Sequence, residues 1–322
     1  MGNSKEELGF VSKVREFEKW MGFQTKIKWT VAFIALAYHI LAVYWCYHYT
    51  LPVKWQTVLF AYMMFVFSGF GITGGAHRYW AHRTFKASTP LRIIMILGFA
   101  SAGQNTLRQW VRNHRVHHKY SDTDSDPHNR ERGLFFSHIG WLLMHKNSAV
   151  VSKFNEIDMS DIDNDPIVKW HTKYVDIVNP LACAVIPTLV GILLWGEDWR
   201  VAIAWQCFIR MMAVYHSELT VNSLGHTLGY KPYNQSIRPA ENVFIAAITG
   251  GEGWHNFHHA FPFDYKTSEL PHGIDTTTRL IHLFETFGWV QDKREVSPET
   301  IKKYSLQHCE GIEQIKMAEK EF

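Results

Sequence analysis

Four long apolar runs constrain this chain more than any other feature. They cover about residues 29–51, 55–76, 177–195 and 199–221. Each is near the ~20 residues that a membrane-crossing helix needs. They come in two pairs, one divided by Pro52 and Lys54, the other by Gly196, Glu197 and Asp198. Trp29, Trp55, Trp195 and Trp199 stand at the run ends, where amphipathic rings settle at a membrane surface. A large soluble helical bundle is the alternative reading. Four runs of this length in two hairpins argue against it. A mean hydropathy of −0.15 hides the segregation, because the rest of the chain is polar.

A fifth apolar stretch, residues 91–102, is only a dozen residues long. That suits a buried or interfacial helix. The first 28 residues are polar, unlike a secretory signal. Met1-Gly2 opens like a myristoylation site, but Glu6 stands where Ser or Thr is required. With 47% hydrophobic and 20% charged residues, the chain is too apolar for disorder. Cys46, Cys183, Cys207 and Cys309 form no C-x-x-C pair, which argues against a disulfide scaffold or a cysteine zinc module. The short connections hold Lys54 and Arg200, and nearly all other Lys and Arg lie on the opposite side. The positive-inside rule then puts both termini and the long loops in the cytosol. The expected organisation has five parts. A cytosolic segment (1–28) precedes the first transmembrane hairpin (29–76). A cytosolic cap with an interfacial helix follows (77–176), then the second hairpin (177–221). More cap and a tail complete it (222–322). Membrane lipid is an expected partner and nucleic acid is not.

Nineteen of the 322 residues are histidine. Three clusters stand out: His77 with His82, His114 with His117 and His118, and His255 with His258 and His259. One H-x-x-H is a weak signal. Two copies of H-x-x-H-H beside one H-x-x-x-x-H are not accidental. On an α-helix, i and i+4 lie about 40° apart, and i and i+3 about 60°. His114 and His118 can therefore share an ion, with His117 offset toward a neighbouring one. His255, His258 and His259 repeat the pattern. His77 and His82 are about 140° apart on a regular helix and cannot easily chelate together there. A helix end or bend near Trp80 is implied. These histidines exceed what one metal can use, so two metals are the economical reading. His226 adds another, four residues after Asn222 and on its face.

The clusters can meet only if residues 91–102 do not cross the membrane. The expectation is an all-α integral membrane protein. It has four transmembrane helices and a helical cytosolic cap holding a di-metal site. Structural zinc usually takes cysteine among its four ligands, and no cysteine lies near a cluster. Imidazole suits iron, zinc and copper alike. A two-metal, all-nitrogen site beside a membrane points to iron and oxygen chemistry, and recombinant material could carry zinc.

At these residues the sequence resembles the membrane-bound acyl-CoA desaturases, the stearoyl-CoA-desaturase-like family, above all those of insects such as moths. The segments that carry the resemblance begin with Gly75-Ala-His-Arg-Tyr-Trp-Ala-His82 and Trp110-Val-Arg-Asn-His-Arg-Val-His-His118. Asp122-Thr-Asp-Ser-Asp-Pro-His128, Asn222-Ser-Leu-Gly-His226 and Gly251-Glu-Gly-Trp-His-Asn-Phe-His-His259 complete them. The resemblance covers roughly residues 28–293. It implies a four-span, mushroom-shaped protein with a di-iron centre. One iron would take His77, His82, His114, His118 and His258. The other would take His117, His226, His255 and His259, with Asn222 acting through a water. It also implies a kinked acyl tunnel, O2 as co-substrate, and electrons from cytochrome b5 reduced by NADH-cytochrome b5 reductase. The location implied is the endoplasmic reticulum membrane, with the active site cytosolic. The sequence departs from the family at Asn113, where aspartate is usual, and at His145, Leu219 and Tyr79.

Metal-bound histidines usually pass their other nitrogen to a carboxylate or carbonyl. Asp122, Asp124, Asp126, Glu252 and Asn256 are candidates, with loop capping as the alternative. The run Asp122-x-Asp124-x-Asp126 is no calcium loop, because Pro127 and Gly133 stand where Gly and Glu are needed. Arg112 and Lys146 are candidates for coenzyme A phosphates. Arg108 and Arg115 read better as charge facing the anionic leaflet. Gln104, Asn105, Trp110 and Asn113 are candidates for substrate contacts. His39, His48, His138, His171, His216, His272, His282 and His308 lack ligand spacing and read as structural.

Removing hydrogens from adjacent methylenes is beyond any side chain, so the metals carry that chemistry. No dinucleotide fingerprint or haem-attachment motif is present, so electrons must come from outside. The expected function is acyl-CoA desaturation. A di-iron hydroxylase, acetylenase or conjugase is the nearest alternative, and a non-catalytic metal-binding membrane protein is the more distant one.

Overall fold

The apolar runs fold as helices, and three of these helices outrun the apolar sequence. The computed structural model describes residues 3–269 and 274–309. His272 and the tail beyond residue 309 lie outside the described residues. A polar helix α1 (Asn3–Trp20) precedes α2 (Trp29–Tyr49), whose 21 residues reach about 32 Å. Only Ala42 of α2 is buried, while Ile34, Leu36, Ile40 and Val43 are exposed. An apolar helix with its side chains outside is a helix for lipid.

Helix α3 runs Trp55–Ala81 over 27 residues. Helix α4 is Thr89–Ser101 and α5 is Leu107–Tyr120. Helix α6 runs Pro166–Trp195 over 30 residues. Its start is set by Asp165, which accepts the Ile167 N–H at 2.8 Å ahead of Pro166 in the first turn. Its end is set by Gly196, at φ +62°. Helix α7, residues 199–223, is the fourth span, and it carries Arg200, Arg210 and Glu218. The divisions at 76/77, 176/177 and 221/222 thus fall inside helices. Backbone hydrogen bonding carries each helix on into the cap, where packing replaces lipid.

The two hairpin turns meet at one end. The Lys54 ammonium donates to the Trp195 carbonyl at 2.7 Å, and the Lys54 N–H donates to Glu197 at 3.1 Å. At the other end, α4 does not cross. Its 13 residues span about 20 Å, short of a ~30 Å hydrocarbon core. It packs instead against α3 through two glycines. A Cβ on Gly71 would stand 2.0 Å from the Phe99 nitrogen, and one on Gly98 2.7 Å from the Phe67 carbonyl oxygen. Small residues let the two backbones touch. Leu91, Met95 and Phe99 fill the core beside Phe70 and Trp80. A two-stranded antiparallel sheet, β1 (Lys86–Ala87) on β2 (Val290–Gln291), ties the segment after His82 to the C-terminal region. Helices α8 (His255–Ala260) and α9 (Thr276–Thr286) complete the cap around the histidines.

Candidate metal centre

The last stretch of α3, Gly71–Ala81, is wound as a π-helix. Its hydrogen bonds run five residues back, and the His82 N–H accordingly donates to the His77 carbonyl at 3.1 Å. The wider winding brings residues five apart back toward one face. His77 and His82 face the same way, with ring centroids 5.0 Å apart. The helix does end at His82, but the wide turn, rather than a bend near Trp80, is what aligns the pair.

Helix α5 presents His114, His117 and His118, the 3-10 turn Leu224–His226 presents His226, and α8 presents His255, His258 and His259. Their ring nitrogens gather in two groups. One holds His77, His82, His114, His118 and His258, and the other His117, His226, His255 and His259. Asn222 lines the same cavity as His117 and His255.

The geometry fits two metal ions. Imidazole nitrogens about 2.1 Å from a shared ion and at right angles stand about 3.0 Å apart. The Nε2 atoms of His77 and His258 are 2.8 Å apart, those of His258 and His118 3.0 Å, and those of His82 and His114 2.9 Å. In the second group, His226 and His255 Nε2 are 3.0 Å apart. Carboxylates fix the tautomers from behind. His77 Nδ1 lies 2.8 Å from Glu252, His117 Nδ1 2.9 Å from Asp126, and His226 Nδ1 2.9 Å from Asp122. With Nδ1 engaged from behind, Nε2 is the nitrogen left facing inward, where a metal would bind. Burial, then neighbouring cationic groups, holds His82, His114, His118, His255, His258 and His259 well below the ordinary histidine range. Neutral imidazole is the form that could ligate a metal. Burial also pulls on His117, but Asp126 overrides it and raises that group.

Of the five carboxylate and amide candidates, Asp122, Asp126 and Glu252 back a histidine. Asp124 does not: its backbone carbonyl accepts from Asn147. Asn256 bonds the Tyr233, Asn234 and Pro239 backbone instead. His128 went unnoticed in the sequence as a site residue. Its ring lies 4.2 Å from that of His117, tilted by 40°, and its backbone N–H donates to Asp126 at 3.0 Å.

A cavity of about 170 Å³ opens from both histidine groups between apolar walls that include Phe65, Val66, Val214 and Leu280. Glu218 lines it and was also missed, although an acid inside an apolar run is itself a signal. Trp110 stacks on His114 at 4.9 Å and donates to Glu218 at 2.9 Å, and Gln104 donates to the other Glu218 oxygen. Asn105 is exposed and does not line the cavity. Asn113 is buried, and its Oδ1 has no hydrogen-bond partner among the described residues. The Lys146 ammonium is likewise buried without one, 5.1 Å from the Trp141 ring and 5.5 Å from Phe154. Arg112 lies over the Phe154 ring at 4.3 Å. Arg108 and Arg115 are committed to Asp163 and Asp161. Leu219 lines a second, apolar cavity of about 440 Å³ beside α2. Of the histidines read as structural, His39, His216 and His138 form a hydrogen-bonded row ending on Ser223. His171 bonds Asn179, and His282 bonds the Tyr265 hydroxyl.

Two helix pairs, with two histidine groups at one end that could each hold a metal ion, define a membrane protein with a candidate metal centre. Residues 52–273 match the fatty acid desaturase family. The chain is 43% identical over 282 residues to an acyl-CoA Delta(11) desaturase of Trichoplusia ni, covering 87% of this chain and 80% of that one. It is 42% identical to an acyl-CoA Delta-9 desaturase of Acheta domesticus, over 87% and 79%. To stearoyl-CoA desaturase 2 of Mus musculus it is 44% identical, over 76% and 68%. The chain belongs to the fatty acid desaturase family and is an oxidoreductase.

Proposed function

We propose that this protein is an acyl-CoA desaturase that inserts a double bond into a fatty acyl chain. The observation that carries the reading is the double histidine centre opening onto an apolar-walled cavity. The residues fit two iron ions, and zinc can replace them in recombinant material. When bound, the irons supply the O2-dependent oxidation of unactivated methylenes.

The protein's own residues do the rest. Asp122, Asp126 and Glu252 hold the imidazole N–H groups and so orient the ligands. Phe65, Val66, Val214 and Leu280 exclude water and hold the chain so that one carbon pair faces the metals. Arg112 and Lys146, cations without carboxylate partners among the described residues, take the phosphates of coenzyme A. Two electrons come from cytochrome b5, reduced by NADH-cytochrome b5 reductase. The protein resides in the endoplasmic reticulum membrane with both termini and the metal centre cytosolic.

Expression in yeast lacking its own acyl-CoA desaturase tests this reading, with mass spectrometry of derivatised fatty acids. New double bonds are expected, and His118→Ala abolishes them. Hydroxylated or alkynyl products would replace desaturation with a sister chemistry. No product, from correctly inserted protein supplied with cytochrome b5, would overturn the reading.

A further inference from the structure

Glu218 is the only acid in residues 199–223. It lies four residues before Asn222 on one helical face, and His226 follows in the 3-10 turn beyond the helix. Trp110 donates to its Oε1 at 2.9 Å, and Gln104 donates to its Oε2. Glu218 lines the same cavity as His77 and His114. A carboxyl group has about four acceptor sites, so two donors leave it half used. Bare methylenes pressed against it would leave the rest dry, at a cost. The cavity has further polar lining in Thr73 and Thr277, whose hydroxyls are 2.5 Å apart. An ionisable group inside a span is by default a candidate functional residue.

We propose that Glu218 is a specificity residue. It hydrogen-bonds a hydroxyl carried on the acyl chain near the carbons held at the metal centre, so the preferred substrate is a hydroxylated fatty acyl-CoA. A hydroxyl both donates and accepts, and it pairs with the carboxyl in either protonation state. The proposal rests on the desaturase reading of the same cavity.

The test measures binding apart from turnover. Full-length, iron-loaded protein in lipid nanodiscs is held without reductant. It is titrated with acyl-CoAs of one length, either plain or with the hydroxyl moved stepwise along the chain. At one position, binding about ten- to hundredfold tighter than the plain chain is expected, the range for a hydrogen bond to a charged group. Glu218→Gln keeps most of that preference, and Glu218→Leu loses it. If the leucine variant does not fold, the wild-type series and the glutamine variant decide. A plain chain that binds as tightly as every hydroxylated one overturns the proposal. Electron donors are then supplied. A hydroxyl preference without any double bond formed would leave the binding role standing and sink the desaturase reading instead.

Discussion

Three histidines of the centre, His77, His117 and His226, each lean on a carboxylate that fixes the direction of the ring. Asp122 shows this most simply, because its carboxylate meets the His226 Nδ1 at 2.9 Å and serves no arginine among the described contacts. Asp122→Asn is expected to lower metal affinity about ten- to hundredfold while the fold persists. Metal content after dialysis against a chelator measures this, and wild-type retention would refute it. Lys146 gives a pH signature. Burial, then Lys28, lowers its ammonium to about 7. Above that pH the free amine is neutral, and a phosphate can pair with it only by drawing in a proton. The KM for acyl-CoA should therefore rise as pH climbs through about 7, and Lys146→Met should raise KM and flatten the dependence. A variant with the wild-type pH profile would remove Lys146 from phosphate binding.

At the scale of elements, the junction of α3 and α4 is the most demanding. Gly71 and Gly98 bring two backbones into contact, and α4 then turns the chain back without crossing. Gly71→Ala places a methyl group 2.0 Å from the Phe99 nitrogen and 2.1 Å from the Gly98 carbonyl carbon. Backbone cannot swing aside as a side chain does. The variant should lose at least about 3 kcal/mol, at the upper end of overpacking costs. Its thermal midpoint in detergent should fall clearly, and an unchanged midpoint would contradict the packing described. The π-helix at the end of α3 matters equally. It turns a five-residue spacing, wrong for an α-helix, into a matched pair of ligands.

Across the whole molecule, Arg78 holds distant segments together. Fully buried, it meets Glu252 at 2.9 Å, Asp275 at 3.0 Å and the Tyr265 carbonyl at 2.9 Å. It thereby anchors the His77 turn to the loop before α8. Arg78→Met leaves two buried carboxylates without their cation and should cost about 3–5 kcal/mol. Thermal unfolding checks it, with a drop under 1 kcal/mol, about the worth of an exposed pair, as the refuting result. Topology is also decided at this scale. Glycosylation tags in the turns at 51–54 and 196–198 should be modified, and tags near 124 and 235 should not. Modification of either of the latter would break the one-sided assembly of the centre.

Much of this was legible in the sequence. Run length gave the spans, because a bilayer fixes how many residues a helix needs. Helical spacing separated His117 from His114 and His118, because side-chain direction repeats with the turn. What stayed hidden depended on contacts between segments far apart in the chain. The alignment of His77 with His82 needed a π-turn, which a periodicity argument built on 100° steps does not contain. Asp124 and Asp126 look alike in sequence, and only the turn after α5 decides which faces His117. Glu218 looks like an interruption until Trp110 and Gln104, more than 100 residues away, converge on it. By itself the sequence determined a membrane protein with a histidine-rich site, and its motifs carried the resemblance to a desaturase family. The tertiary structure alone decided which polar groups meet in the cavity, because hydrogen bonds act over about 3 Å and carry no trace of sequence separation.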